Sequence, residues 1–308
     1  MTSLRVPDAA PVLGPRGADE GPGESLWRGA FKRLRRNPSA IAGAVIIALF
    51  ILVAIFAEVL APYEPASREW RELATQSYVQ GPTAEHLLGV DRFGSDMLSQ
   101  LIFGARQSLI IGVISTLIGL SVGALIGTLA GGLGGWVDTL IMRLVDILLS
   151  IPSLLLAISI AAVLAGSGFA LMLAIGAAQV PIFARLLRGS MLAQKNSDYV
   201  LAAQAMGLRR RTVIMSHVLP NSLGPTIVQA TLNLATAIIE VAALSYLGLG
   251  GGLPESAEWG RMIVAAQERF TIAPWLAFYP GICIAITALG FTLFGEAMRE
   301  ALDPKQRR

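Results

Sequence analysis

An all-α integral membrane protein with six transmembrane helices is the fold class this sequence predicts, and three observations predict it. Of 308 residues, 54% are hydrophobic and 15% charged, against about 25% charged in an ordinary soluble domain. The apolar residues are gathered in blocks of about 20, the length a helix needs to cross a hydrocarbon layer roughly 30 Å thick. Through these blocks run many of the 32 Gly and 16 Pro. Backbone groups freed at such residues cannot be left facing lipid, so the helices must pack on one another.

The elements follow in chain order. Residues 1–38 read as a tail: Pro7, Pro11, Pro15, Gly21, Pro22 and Gly23 make its start too polar to bury. A basic segment follows, from Trp27 to Arg36, with Arg28, Lys32, Arg33, Arg35 and Arg36. Such a patch binds nucleic acid in some proteins, but directly before a span it reads as a membrane-surface helix, and no nucleic-acid partner is expected. The about 38 polar and basic residues before the first span also argue against a cleaved secretory signal. The spans are expected at 39–61, 107–131, 143–165, 169–187, 223–246 and 273–296, with an outer segment at 62–106 and a tail at 298–308. Within the second, Gly119, Gly123, Gly127 and Gly131 recur every four residues, a seam for close helix packing rather than a substrate-lining face. Pro152 and Pro181 permit kinks in the third and fourth spans. Cys283, the one cysteine, leaves no intrachain disulfide and reads as a small buried residue.

Lys and Arg accumulate in cytoplasmic loops. The N-terminal tail carries seven and the loop after the fourth span six: Arg185, Arg188, Lys195, Arg209, Arg210 and Arg211. The segment between the first two spans instead has four Arg against six acids. Both termini are therefore expected in the cytoplasm, with residues 62–106 outside.

The loop at about 188–222 is long for a mere connection. Ser197 or Asp198 suits a helix start, the alanines at 202, 203 and 205 keep that helix thin, and Gly207 suits a left-handed turn that closes it. A second helical piece, starting near Arg209, is expected to run to about Val218 and stop before Pro220. A thin helix held out from the bundle suits a groove on a partner.

At these residues the chain resembles a family: the permeases of binding-protein-dependent ABC importers, in the dipeptide, oligopeptide and nickel branch, and its C-type permease. Ala202, Ala203, Gly207, Leu219 and Pro220 occupy the positions of that family's EAA motif, with Leu201 in place of the glutamate and His217 where many relatives carry an aliphatic residue. The likeness extends over His86-Leu87-Leu88-Gly89-Val90-Asp91, Pro152-Ser153-Leu154-Leu155, Leu244-Ser245-Tyr246-Leu247-Gly248, Trp259-Gly260 and Leu302-Asp303-Pro304. What the resemblance implies is a type I ABC importer permease fold in a bacterial inner membrane. It implies half of a translocation path for di- or oligopeptides, completed by a sister permease in a heterodimer. Separate ABC ATPase subunits would bind ATP and Mg and dock through Asp198, Ala202, Ala203, Gly207, His217, Leu219 and Pro220. A soluble binding protein would deliver substrate from outside.

This chain has no phosphate-cradling Gly-x-x-x-x-Gly-Lys-Ser/Thr loop, and no catalytic role or bound cofactor of its own is expected. An intramembrane enzyme is disfavoured further, because His86 and His217 are expected on opposite sides of the membrane and no Gly-x-Ser-x-Gly or His-Glu-x-x-His occurs. Two alternatives stay open: the same architecture importing nickel chelates or another small solute, and an ion-driven secondary transporter using Asp146 and Glu240. A carboxylate in a membrane must face protein, water or the interface. Arg143 is expected to pair with Asp146 on one helix face. Glu240 and Asp146 stand as the candidates for the translocation path, Glu240 as a partner for a peptide's cationic amino terminus.

Overall fold

The computed structural model describes residues 26–164, 167–250 and 257–302. The expected polar tail at 1–25 and the Asp303-Pro304 tail lie outside the described residues. The helices are α1 (Leu26–Leu34), α2 (Pro38–Ile55), α3 (Ala57–Leu60), α4 (Met97–Leu133), α5 (Gly135–Leu149), α6 (Ser153–Leu164), α7 (Gly168–Lys195), α8 (Asp198–Ala205), α9 (Arg210–Val213), α10 (Leu219–Tyr246), α11 (Trp259–Gln267) and α12 (Trp275–Leu302).

Five stretches are long and apolar enough to cross a membrane by themselves: α2, α4, α7, α9 running through to α10, and α12. The sixth crossing differs from the single helix expected at 143–165. There α5 and α6 meet at 91°, broken at Ser150-Ile151-Pro152, where Pro152 cannot continue the α5 hydrogen-bond ladder. The neighbours show that this broken pair crosses. A Cβ on Gly119, Gly123, Gly127 or Gly131 of α4 would lie 2.6 to 3.1 Å from Gln179, Phe183, Ala184 or Met191 of α7. Both series ascend together, so α4 and α7 run parallel, and the chain between them must return through the layer. The glycine seam is thus the packing face that its four-residue spacing predicts, with the two backbones too close for any side chain.

The other directions follow from contacts. Gly43 of α2 lies against Gly290 and Phe294 of α12, and Asn37 Nδ2 donates to Glu300 Oε2 at 3.3 Å, so these two helices are antiparallel. Six crossings place Pro38 and Leu302 at one end of the bundle, together with α8. The helix boundaries depart from expectation at several ends: α7 runs on to Lys195 rather than 187, α10 starts at Leu219 rather than 223, and α12 runs to Leu302 rather than 296. Two further departures have a visible cause. The second crossing begins at Met97, ten residues before 107, because Asp96 caps it by accepting from Ser99 N at 2.8 Å. The first ends at Ile55 rather than 61, where Arg106 donates to the terminal carbonyls of Ala54 and Ile55 and pairs with Glu58 at 2.9 Å.

Residues 61–96 form a cap on the end opposite α8. Its centre is His86, packed edge-on against Trp70 and tilted against Tyr63, with Nδ1 at 3.0 Å from Asp96 Oδ1. Asp91 accepts from Phe93 N, Ser95 N and Gln100 Nε2 at 2.8 to 2.9 Å. Burial nevertheless pushes its carboxyl above the ordinary value. His217 lies at the other end, on the turn before α10.

Candidate functional site

Two groups of residues stand out by position. The first is the segment from Lys195 to Pro220. Here α7 ends, two residues turn the chain, and Ser197 and Asp198 open α8; the Ser197 hydroxyl donates back to Gln194 O at 2.6 Å rather than capping α8. The eight residues of α8 close as the alanine and glycine pattern predicts. Gly207 has φ +79°, its N–H bonds Gln204 O at 2.9 Å, and Leu208 N bonds Ala203 O at 3.2 Å, a complete left-handed C-cap.

The two faces of α8 differ. Val200 and Ala203 are buried in a cluster with Leu187 and Met191 of α7, Val213 of α9 and Val218. Leu201, Ala202, Gln204, Ala205 and Met206 are exposed, Met206 at 74%. This corrects the expectation that Ala203 presents itself to a partner: its side chain is part of this chain's own core, and Ala202 and Ala205 form the thin outer face. Asp198 and Gly207 are exposed at the two ends.

The second helical piece does not stop before Pro220. α9 passes through a π-turn at Ile214–Val218 straight into α10, with Pro220 in the first turn of α10. A proline there lacks only an N–H that the widened turn leaves without need of a partner. His217, Leu219 and Pro220 therefore sit at the root of a membrane-crossing helix. The Tyr199 hydroxyl reaches His217 O at 3.5 Å and Leu219 packs on the Val200–Ala203 cluster, so the structure brings the predicted residues together.

The basic residues of this region are partly structural, which composition alone does not reveal. Arg210 Nη2 donates to Gly132 O at 3.0 Å and Leu133 O at 2.6 Å, the last carbonyls of α4. Arg188 grips Asp138 with two bonds of 3.0 and 2.7 Å. Asp146 pairs with Arg185 of α7, not with Arg143. The tertiary partner wins because α5 lies beside α7, while Arg143 is exposed.

The second group lies on α10. Ser222, Thr226, Gln229, Asn233, Thr236 and Glu240 alternate by four and three residues, the spacing of one helix face. They span about 27 Å at 1.5 Å per residue, nearly a hydrocarbon thickness. Gln229 Nε2 donates to Asn233 Oδ1 at 2.8 Å, and Asn233 Nδ2 to Gln179 Oε1 of α7 at 3.3 Å. Ser153, the first residue after the break between α5 and α6, donates to Glu240 Oε1 at 3.0 Å. Among the described residues, Glu240 Oε2 and Thr226 Oγ1 have no hydrogen-bond partner. Among the candidate path residues, Glu240 thus sits on a continuous polar stripe, while Asp146 sits in an ion pair on α5. The stripe was readable as a heptad of polar residues inside an apolar block, a pattern masked when only charges are scanned.

A family model for the inner membrane component of binding-protein-dependent transport systems matches residues 123–308. The chain belongs to this family. A second model, the N-terminal TM domain of oligopeptide transport permease C, matches residues 25–80, so the permease is of the C type in the peptide branch. It is 41% identical to the dipeptide transport system permease protein DppC of Alkalihalophilus pseudofirmus, over 99% of this chain and 100% of that one. It is 42% identical to the glutathione transport system permease protein GsiD of Shigella flexneri serotype 5b, over 91% of this chain and 90% of the relative. Among solved structures, a chain of the MetNI methionine ABC transporter in inward-facing conformations matches with TM-score 0.55 at 19% identity, over 67% of the permease and 98% of that chain. The permease therefore has the type I ABC importer fold, in an inner-membrane, multi-pass protein.

Proposed function

We propose that this permease forms half of the translocation path of a peptide importer and is driven by separate ATPase subunits that dock on α8. The observation that carries the coupling is the division of that helix: one face anchored by Val200 and Ala203, the other thin and exposed at Ala202, Ala205 and Met206. A helix held firmly on one side transmits displacement, and a slim outer face enters a groove. Asp198, Gly207, His217, Leu219 and Pro220 set its start, its end and its connection to α10.

The lysines and arginines at the α8 end of the bundle support a cytoplasmic position for that end and for both termini. The cap of residues 61–96 then faces a soluble binding protein outside. A sister permease supplies the other half of the path, and ATP and Mg are bound by the ATPases. The substrate class is di- or short oligopeptides, supported by the relatives' dipeptide and glutathione names. The α10 stripe fits it chemically, since carboxamides such as Gln229 complement peptide bonds and Glu240 complements an amino terminus.

The test is reconstitution in proteoliposomes with the sister permease, ATPases and binding protein. Uptake of labelled dipeptide should require ATP and both permeases. Uptake that persists without ATPase subunits and follows an ion gradient would sink this reading, and uptake of nickel chelates with none of peptides would reassign the substrate.

A further inference from the structure

We propose that the cavity between α1, the start of α2 and the end of α12 holds the phosphate-bearing headgroup of an anionic phospholipid. The cavity, of about 530 Å³, is lined by Lys32, Arg33, Arg36, Asn37 and, across from them, Glu300. Three cations face one carboxylate. That carboxylate accepts from Asn37 Nδ2 at 3.3 Å, while Lys32, Arg33 and Arg36 have no ion pair among the described residues. Uncompensated cations around a concavity suit a diffuse oxyanion, and a phosphodiester accepts several N–H donors at once. The cations carry the site rather than the helix end: Asn37 Oδ1 already accepts from Ser39 N and Ala40 N, and Pro38 has no N–H.

Two further observations select a lipid over a free anion. α1 is amphipathic and stands immediately before a membrane-crossing helix, with Phe31 exposed beside the basic residues. Beyond the cavity, α2 exposes Ile41, Val45 and Leu49 at four-residue spacing, an apolar track on which acyl chains lie when the headgroup is held above. Arg35 stands apart, with its guanidinium 5.4 Å over the ring of Phe31, which makes it an internal control.

The experiment is native mass spectrometry of the full-length permease, delipidated in detergent and titrated with phosphatidylglycerol or phosphatidylcholine. Phosphatidylglycerol should bind at least tenfold more tightly, and Lys32→Gln, Arg33→Gln, Arg36→Gln together should abolish that preference. Arg35→Gln should keep it. Glu300→Gln should strengthen it, a gain that misfolding does not produce, so the proposal stays testable if the triple variant expresses poorly. Equal retention of the two lipids, or an unchanged preference in the triple variant, overturns the site. Displacement of bound phosphatidylglycerol by millimolar inorganic phosphate would overturn the lipid assignment in favour of a free-anion site.

Discussion

Gly207 offers the cleanest test of α8. Its φ of +79° is the left-handed conformation, and a Cβ built there meets nothing within 4 Å. Any cost of substitution is therefore conformational, not steric against neighbours. Moving an alanine into that region costs about 1 kcal/mol, and a β-branched residue about 2. Against this, burial of the Val200 side chain and the Ala203 methyl holds α8 to the bundle with roughly 2 to 4 kcal/mol. The change is thus too small to unfold the chain and large enough to redirect the helix end. If docking needs the native turn, Gly207→Ala should weaken ATPase association by about fivefold and Gly207→Val by about thirtyfold, at 1.4 kcal/mol per factor of ten. Gly207→Asn, whose side chain tolerates the left-handed region, should stay close to wild type. The assay is co-purification of the ATPase with membrane-inserted permease at matched levels, followed by substrate-stimulated hydrolysis. Equal association for Ala, Val and wild type would refute the coupling role, and an Asn variant as weak as Val would refute the conformational argument.

The other predictions are briefer. In a Cys283→Ala background, an impermeant thiol reagent added to intact cells should label Ser77→Cys in the cap and not Gln204→Cys on α8; the reverse pattern would invert the topology. Ala203→Arg should lower permease abundance because it forces a guanidinium into the cluster of Leu187, Met191 and Val218, whereas Ala202→Arg should leave abundance unchanged and lose ATPase binding. Both variants equally abundant would mean that Ala203 is not a core residue. Glu240→Gln should reduce uptake of peptides with a free amino terminus more than of blocked ones, while keeping the Ser153 hydrogen bond; equal loss for both would make Glu240 structural. Arg210→Ala should retain ATPase binding but weaken the link to the Gly132 and Leu133 carbonyls, lowering uptake per ATP hydrolysed, while Arg211→Ala should not.

What the sequence made legible was periodic or steric. The glycine seam was readable because small residues every four positions let a neighbouring backbone approach closely, and Gly207 because a left-handed helix end selects glycine. Directions that depend on a partner were not readable. Three alanines at 202, 203 and 205 carry no difference in polarity, so nothing local says that only Ala203 turns inward. Asp146 had Arg143 one turn before it, and only the packing of α5 beside α7 awards the pair to Arg185. Pro220 looked like a stop because the widened turn before it, which absorbs the missing N–H, leaves no composition signature.

Read as a loop, residues 188–222 would be a flexible tether, and a push on α8 would dissipate in it. With α7 continuous to Lys195 and α9 running through the π-turn into α10, the segment instead has a helix fixed on either side. Val200 and Ala203 bridge those helices, and Arg210 ties the same corner to the end of α4. The α4–α7 glycine seam leaves no side-chain layer between the two backbones. On the proposed coupling role, a displacement of α8 would reach α4, α7 and α10 through these contacts, and α10 carries the polar stripe. Beside these helices lies the break at Ser150-Ile151-Pro152 between α5 and α6, where the helix ladder is interrupted and Ser153 meets Glu240 of α10. Any motion that reaches this break from α8 would act next to Glu240 Oε2, which has no hydrogen-bond partner among the described residues.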